Sequence, residues 1–368
     1  MTHTNGLSIM KNLSLKFALC ATIGCALLTL ATGCATGDKS AGKKTYTFFP
    51  PAPDEPRIQF LNSFNSDADL GRTRSFADFI TGEQPTGPLV KPYGLALHEG
   101  SIFVCDTVQN LIEVFDLKKH RAVYFAPSGE GRLRVPVNIT IDADGTRYVA
   151  DSGRRQVVIY DADGNYLEAL GKQGEMKPVD VVLTADRLYV ADMQNHAVRV
   201  FGKKNHELLF SIPASTNASE GKLYSPANLA LDNQGHLIVS DVGAFAVRVY
   251  DSDGKFVRTI GRQGVGAGSF ARPKGVAADR QGLIYVVDAA TQVVQIFDSE
   301  GRLLLFFGAP GASLRGQLVL PASVKVDYDH VGYFQKYVAP GYQCEYLILV
   351  TSQFGDNKVN VYGFLKKK

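Results

Sequence analysis

The sequence predicts an all-β fold: a six-bladed β-propeller of four-stranded antiparallel blades, closed by an N-terminal strand. Three observations predict it. First, proline opens a short apolar run at positions 92, 136, 178, 226, 273 and 321. Second, a further run ends in Asp at 106, 151, 192, 241 and 288, always 14 or 15 residues after the proline. An aromatic residue follows nine positions beyond each Asp: Phe115, Tyr160, Phe201, Tyr250 and Phe297. Third, the unit holds only β-branched and aromatic runs such as "NITID", "RYVA", "QVVIY" and "YLEAL", separated by turns such as "DADG" and "DSDG". A period of about 45 residues means a solenoid or a propeller. Four short strands with no helical stretch make a blade.

The elements follow in order. Residues 1–33 read as a signal peptide: Lys11 and Lys16 precede the apolar run "FALCATIGCALLTLA", too short and wrongly flanked to span a membrane. Residues 34–56 hold few aliphatics and a proline cluster, and read as a flexible tether. The propeller is expected over 57–368. Its segment "RIQFLNSF", Arg57 to Phe64, has the character of a fourth strand and would complete the sixth blade, removing the open edge between first and last units. "RTRSFADFI" then reads as a short helical insertion. The sixth unit deviates, with Ser352 in the Asp position and an insertion before it.

Of 368 residues, 45% are hydrophobic and 20% charged, enough for a sizeable core. The formal charge of +3 falls to about +1 once Lys11 and Lys16 leave with the leader, which argues against a nucleic-acid partner. Beyond the leader and Cys34 only Cys105 and Cys344 remain, with no haem or zinc spacing. The repeat register offsets these two by seven residues, roughly 23 Å along a strand, too far for a disulfide.

Two resemblances add to this reading. "LATGC" resembles a bacterial lipobox with Cys34 as the lipidated residue, although Ala31 stands where leucine is preferred. That resemblance implies a membrane-anchored exported protein, and Ala35 after the cysteine favours the outer membrane. Acyl chains on one residue hold a protein at a membrane without any crossing helix. "VADMQNHAVRVF" together with "DSDGKFVRTIGRQG" resembles the NHL repeat, and the likeness recurs over roughly residues 57–368. Some NHL-like propellers, the peptidylglycine-amidating lyases, bind zinc through histidines directly after the blade-opening proline. They also use a tyrosine two after the repeat Asp. Here those slots hold Tyr93, Val137, Val179, Ala227, Lys274 and Ala322, and Val108, Gly153, Gln194, Gly243, Ala290 and Phe354. The lyase chemistry therefore does not carry over.

The register also sorts the candidate sites. Asp192, Asn195 and His196 mimic a metal-binding run, but Asp192 has four equivalents and His196 none, so the stretch reads as repeat structure. The "DADG" and "DSDG" turns have hairpin spacing, not that of a calcium loop. "GRQGVGAGSF" leads to Pro273 and a strand, not to a helix that could cradle phosphate. What survives is the residue two after each proline: Gly94, Asn138, Asp180, Asn228, Gly275 and Ser323. These line the expected channel, and Asn138, Asp180, Asn228 and Ser323 form the candidate ligand site. Either they bond water and each other, or Asn138, Asp180 and Asn228 hold a divalent cation. Arg154, Phe245 and Lys274 lie on the face with the longer loops and are candidate contacts for another envelope protein. Two functions stay open: a lipid-anchored binding or assembly scaffold, and a cation-dependent hydrolase or lyase centred on the channel.

Overall fold

A computed structural model describes residues 45–71, 86–213 and 220–368. Cys34, the leader and the predicted insertion at 72–80 lie outside these residues. The described chain forms six antiparallel sheets, five of four strands and one of five. Blade two is typical, running Pro136–Ile141, Arg147–Asp151, Gln156–Tyr160 and Tyr166–Leu170 from the inner edge outward. The other inner strands are Pro92–His98, Pro178–Leu183, Pro226–Leu231, Pro273–Ala278 and Pro321–Asp327. Each opens on proline, which lacks the N–H that a ladder would need and so suits a strand's first residue.

Each blade pairs its proline with the residue closing the second strand: Pro92 with Asp106, Pro136 with Asp151, and so on to Pro321 with Ser352. In all six the register then slips before pairing resumes. Such a bulge re-aims the residues it contains. Here that is the residue directly after the proline in every blade, joined by the next residue in blades one, five and six.

Six buried clusters hold the blades together. Each combines residues from neighbouring blades, and Phe64, Leu95, Phe115, Leu347 and Val361 join the sixth to the first. The ring is therefore closed by apolar burial as well as by strand pairing. The aromatic nine positions after the Asp is buried in all five units that have it. The Tyr160 and Tyr250 hydroxyls donate to the Gly131 and Gly221 carbonyls in the preceding linkers, at 2.5 Å each.

The closing blade confirms the N-terminal strand and extends it. Ile58–Phe64 pairs with Val359–Lys367, as the sequence predicts. The second half of the expected tether reads differently, because Thr47–Phe49 adds a fifth strand, with Thr47 opposite Phe60 and Phe49 opposite Ile58. Aromatic burial explains this. Phe49 packs 6.2 Å from both Phe307 and Tyr362, and Phe48 lies 5.9 Å from Tyr342. A segment poor in aliphatics can still dock through its rings. The insertion in blade six is the segment 328–341, whose helical turn Val331–Phe334 packs Phe334 against Phe64. Cys105 and Cys344 are free and buried in different interfaces, Cys105 between blades one and two and Cys344 between six and one.

Candidate functional site at the loop-face mouth

Strand direction alternates within a blade, so tight hairpins emerge on one face and the Asp loops with the longer linkers emerge on the other. The repeat Asp builds this second face. Asp241 accepts the backbone N–H groups of Tyr224 (2.8 Å), Ser225 (2.7 Å), Gly243 (3.1 Å) and Ala244 (3.2 Å). Asp151 and Asp288 each clamp four equivalent N–H groups. One carboxylate thus ties the linker entering the blade to the loop leaving its second strand, satisfying donors that would otherwise be orphaned. In blade six Ser352 Oγ accepts Val319 N–H at 3.3 Å. Lys358 Nζ stiffens the loop there, donating to Val90 O at 3.0 Å and Gln353 O at 2.9 Å.

The slot four after the Asp is left-handed in all five copies: φ is 60° at Asn110, 63° at Arg155, 53° at His196, 53° at Phe245 and 60° at Gln292. Non-glycine residues visit this region at a cost, so the loop's bonds impose it. His196 Nδ1 meets the Tyr224 carbonyl, and Asp192 is spent on Lys177 N–H, Gln194 N–H and Arg199. The "ADMQNH" run is therefore repeat architecture.

Of the predicted polar ring, Asp180 and Asn228 meet, and all four members are withdrawn from solvent. Asn138 and Asp180 are fully buried, with Asn228 2% and Ser323 1% exposed. Asp180 Oδ1 accepts Val181 N–H at 2.8 Å, and its Oδ2 accepts Leu229 N–H at 2.8 Å and Asn228 Nδ2 at 3.2 Å. Asn138 Oδ1 takes Ile139 N–H, and Ser323 N–H donates to Thr351 Oγ1. The glycines in the ring are steric necessities. A Cβ on Gly275 would lie 2.6 Å from Ser323 Cα and from Val324 N, and one on Gly94 would lie 2.5 Å from Asn138 Cα. Inner strands of neighbouring blades therefore touch here. Gly275→Ala should cost about 1–3 kcal/mol by overpacking; an unchanged urea midpoint would contradict this close approach.

A divalent cation does not fit this ring. Asp180 is its one carboxylate and both oxygens are engaged. Burial raises its pKa, opposed by Lys325 and the three hydrogen bonds. Asn138 Nδ2, a donor, and Asn228 Oδ1 are the amide atoms left without a protein partner. A hard dication needs six or more oxygens, and among the described residues no group of three or more His, Cys, Asp or Glu could hold a metal.

Above the ring lies a second layer made by the residues directly after the prolines. Val137, Val179, Ala227 and Ala322 are buried, and half-buried Tyr93 packs against the cluster holding Val137 and Val179. Lys274 completes this layer at 7% exposure, its Nζ 4.8 Å from the Tyr93 ring centroid. Burial, with Arg272 and Lys91 nearby, lowers its pKa to about 8. Burial and Asp180 beneath push the Tyr93 hydroxyl upward, while Arg272 opposes them. Lys274 thus lies against the Tyr93 ring, and Asp180 is near enough to act on its hydroxyl. Arg154 lies apart, in a gap of about 600 Å³ between blades one and two, and is held to the Glu130 and Arg132 carbonyls. Phe245 sits half-buried in its own loop. Sequence reasoning did not single out Tyr93, Lys91 and Arg272, which lie around Lys274, or Lys325, which acts on Asp180. The slot directly before each proline (Lys91, Val135, Lys177, Ser225, Arg272 and Leu320) carried a signal, since three of its six residues are basic.

The family model described as a 6-bladed beta-propeller (DUF5128) matches residues 218–307, which span blades four and five. No curated protein matches the chain. Among solved structures it is similar to a structural-genomics protein of unknown function from Bacteroides thetaiotaomicron, with TM-score 0.59 and 16% identity over 84% of this chain and 76% of that one. It is also similar to a streptogramin B lyase, with TM-score 0.53 and 12% identity over 76% and 95% of the two chains. A gluconolactonase from Xanthomonas campestris gives TM-score 0.51 and 14% identity over 84% and 90%. These likenesses show the six-bladed propeller fold.

Proposed function

We propose that the chain is a lipid-anchored binding propeller of the cell envelope, which meets its ligand or protein partner on the loop face. The observation that carries this reading is the asymmetry of the two faces. Hairpins such as 142–146 and 251–255 close one face tightly in blades one to five, with the insertion 328–341 of blade six as the exception. The long linkers 126–135, 261–272 and 308–320, the Asp loops and the mouth over Tyr93 all open on the other. Loops on a rigid scaffold are where recognition is built. "LATGC" supports the anchor at Cys34, and Ala35 the outer membrane. The fold also hosts a lyase and a gluconolactonase, but the donor set of the ring weighs against a cation-dependent hydrolase or lyase here.

A photo-crosslinking residue in place of Val265 or Phe354, both exposed on the loop face, tests this in the native envelope. Discrete adducts are expected from these positions and none from the turn-face position Asp163. They should disappear when Cys34→Ala releases the protein from membranes. Adducts from Asp163 alone would overturn the assignment of faces.

A further inference from the structure

We infer that the loop-face mouth is a subsite for a carboxylate or phosphate group, with Lys274 and the Tyr93 ring as its floor and Arg272 and Lys91 at its rim. This rests on the loop face being the binding face and names the chemistry it takes.

Lys274 is the anomaly. The other five residues in its slot are one tyrosine and four small or β-branched apolar side chains, as a buried layer requires. An ammonium placed there loses most of its hydration and receives in return only the face of one aromatic ring. The other buried lysine, Lys358, donates to two backbone carbonyls, and half-buried cations elsewhere meet acids. Arg199 meets Asp192 at 2.9 Å and Glu175 at 2.8 Å, and Lys203 meets Asp142 at 2.5 Å. Among the described residues, Lys274, Arg272 and Lys91 have no carboxylate within ion-pair distance.

The surroundings add positive charge. Arg272 and Lys91 occupy the positions directly before the blade-five and blade-one prolines, and both act on Lys274 repulsively. Lys91 Nζ lies 6.0 Å from the Phe354 centroid, with Lys358 Nζ 5.8 Å from the same ring. The acids facing this group are already committed. Asp180 lies beneath Tyr93 and spends both oxygens in the ring. Asp106, beside Lys358, accepts from Val90, Lys91, Val108 and Gln109. Asp356 acts on Lys358. Converging cations without a counter-ion are relieved by an anion, and a guanidinium beside ammoniums matches a flat carboxylate or a phosphate.

The test is calorimetric titration of the full mature chain at low ionic strength with inorganic phosphate and with tricarballylate. Wild type should bind at least one, Lys274→Gln should weaken it tenfold or more, and the turn-face control Lys119→Gln should leave it unchanged. Affinity should also fall from pH 7 to 9 as Lys274 deprotonates. Vesicles containing phosphatidylglycerol separate the sources. Binding to them that Lys274→Gln abolishes assigns the group to a lipid headgroup, and binding of the soluble anions alone assigns it to a free ligand. If a folded wild type bound neither anion, or if Lys119→Gln weakened binding as much as Lys274→Gln, the subsite would be refuted. Loop-face crosslinks would still stand in that case, so the broader reading fails separately.

Discussion

Asp241→Ala is expected to lower the unfolding free energy by about 4 kcal/mol. The carboxylate is fully buried and accepts four backbone N–H groups from two segments, at 2.7 to 3.2 Å. Hydrogen bonds to a charged acceptor contribute about 1.5–3 kcal/mol each, and stranded donors cost a further desolvation penalty, partly recovered as the loop opens to water. Alanine removes all four partners together. The left-handed backbone at Phe245 loses its restraint at the same time, so the loop has no reason to keep its shape. Asp241→Asn keeps one acceptor oxygen and should fall between alanine and wild type. Urea unfolding of the three proteins measures this; a loss below about 1 kcal/mol for alanine would show that the clamp is not what holds linker to blade.

The second large effect depends on pH. Glu113 is fully buried in the third strand of blade one, where Thr86 donates to its Oε1 and Oε2 has no protein partner. Burial, reinforced by Asp106, Asp67 and Asp69, raises its pKa from 4.5 to about 8, with the Thr86 bond opposing. The folded state therefore keeps a proton that the unfolded chain releases near 4.5. Between about 4.5 and about 8 the native state binds more protons, so stability falls as pH rises through this window. Glu113→Gln preserves the shape and the acceptor for Thr86 without the ionisation. It should match wild type near pH 4.5 and exceed it by roughly 4 kcal/mol near pH 8. Parallel denaturation curves at the two pH values read the difference directly, and a constant gap between the proteins would place the Glu113 carboxyl elsewhere in its titration.

The fold is legible because its repeat is a chain of physical requirements. Proline marks a strand start, Asp a loop needing an acceptor, and the aromatic a blade interface needing volume, so Pro136, Asp151 and Tyr160 announce the same blade three times over. The tether reading fails at Thr47–Phe49 because the signal there is aromatic docking onto Phe307 and Tyr362, far along the chain, which no local pattern contains. Register alone finds the ring of Asn138, Asp180, Asn228 and Ser323, yet it does not reveal the ring's burial. Whether a residue two after the proline faces a channel or its neighbour depends on how closely the inner strands approach. Gly94 and Gly275 look like the repeat's ordinary residue in the sequence, when they also report that approach. Lys274 stands out in the sequence only as a loop contact. Its isolation from any acid becomes visible once Asp180, Asp106 and Asp356 are placed.

The closing blade draws two strands from the start of the chain and three from its end. While the protein is being made, Ile58–Phe64 must wait for Val359–Lys367, which emerges only after the other five blades. Blades one to five can each zip locally as they emerge, but the seal between blade six and blade one is available only once the third strand of blade six has followed them. Until then the growing arc keeps exposed strand edges at both ends, open to pairing with other chains. Loss of the Val359–Lys367 segment would therefore act like a missing clasp and not like a shortened tail, leaving five complete blades that cannot become a ring.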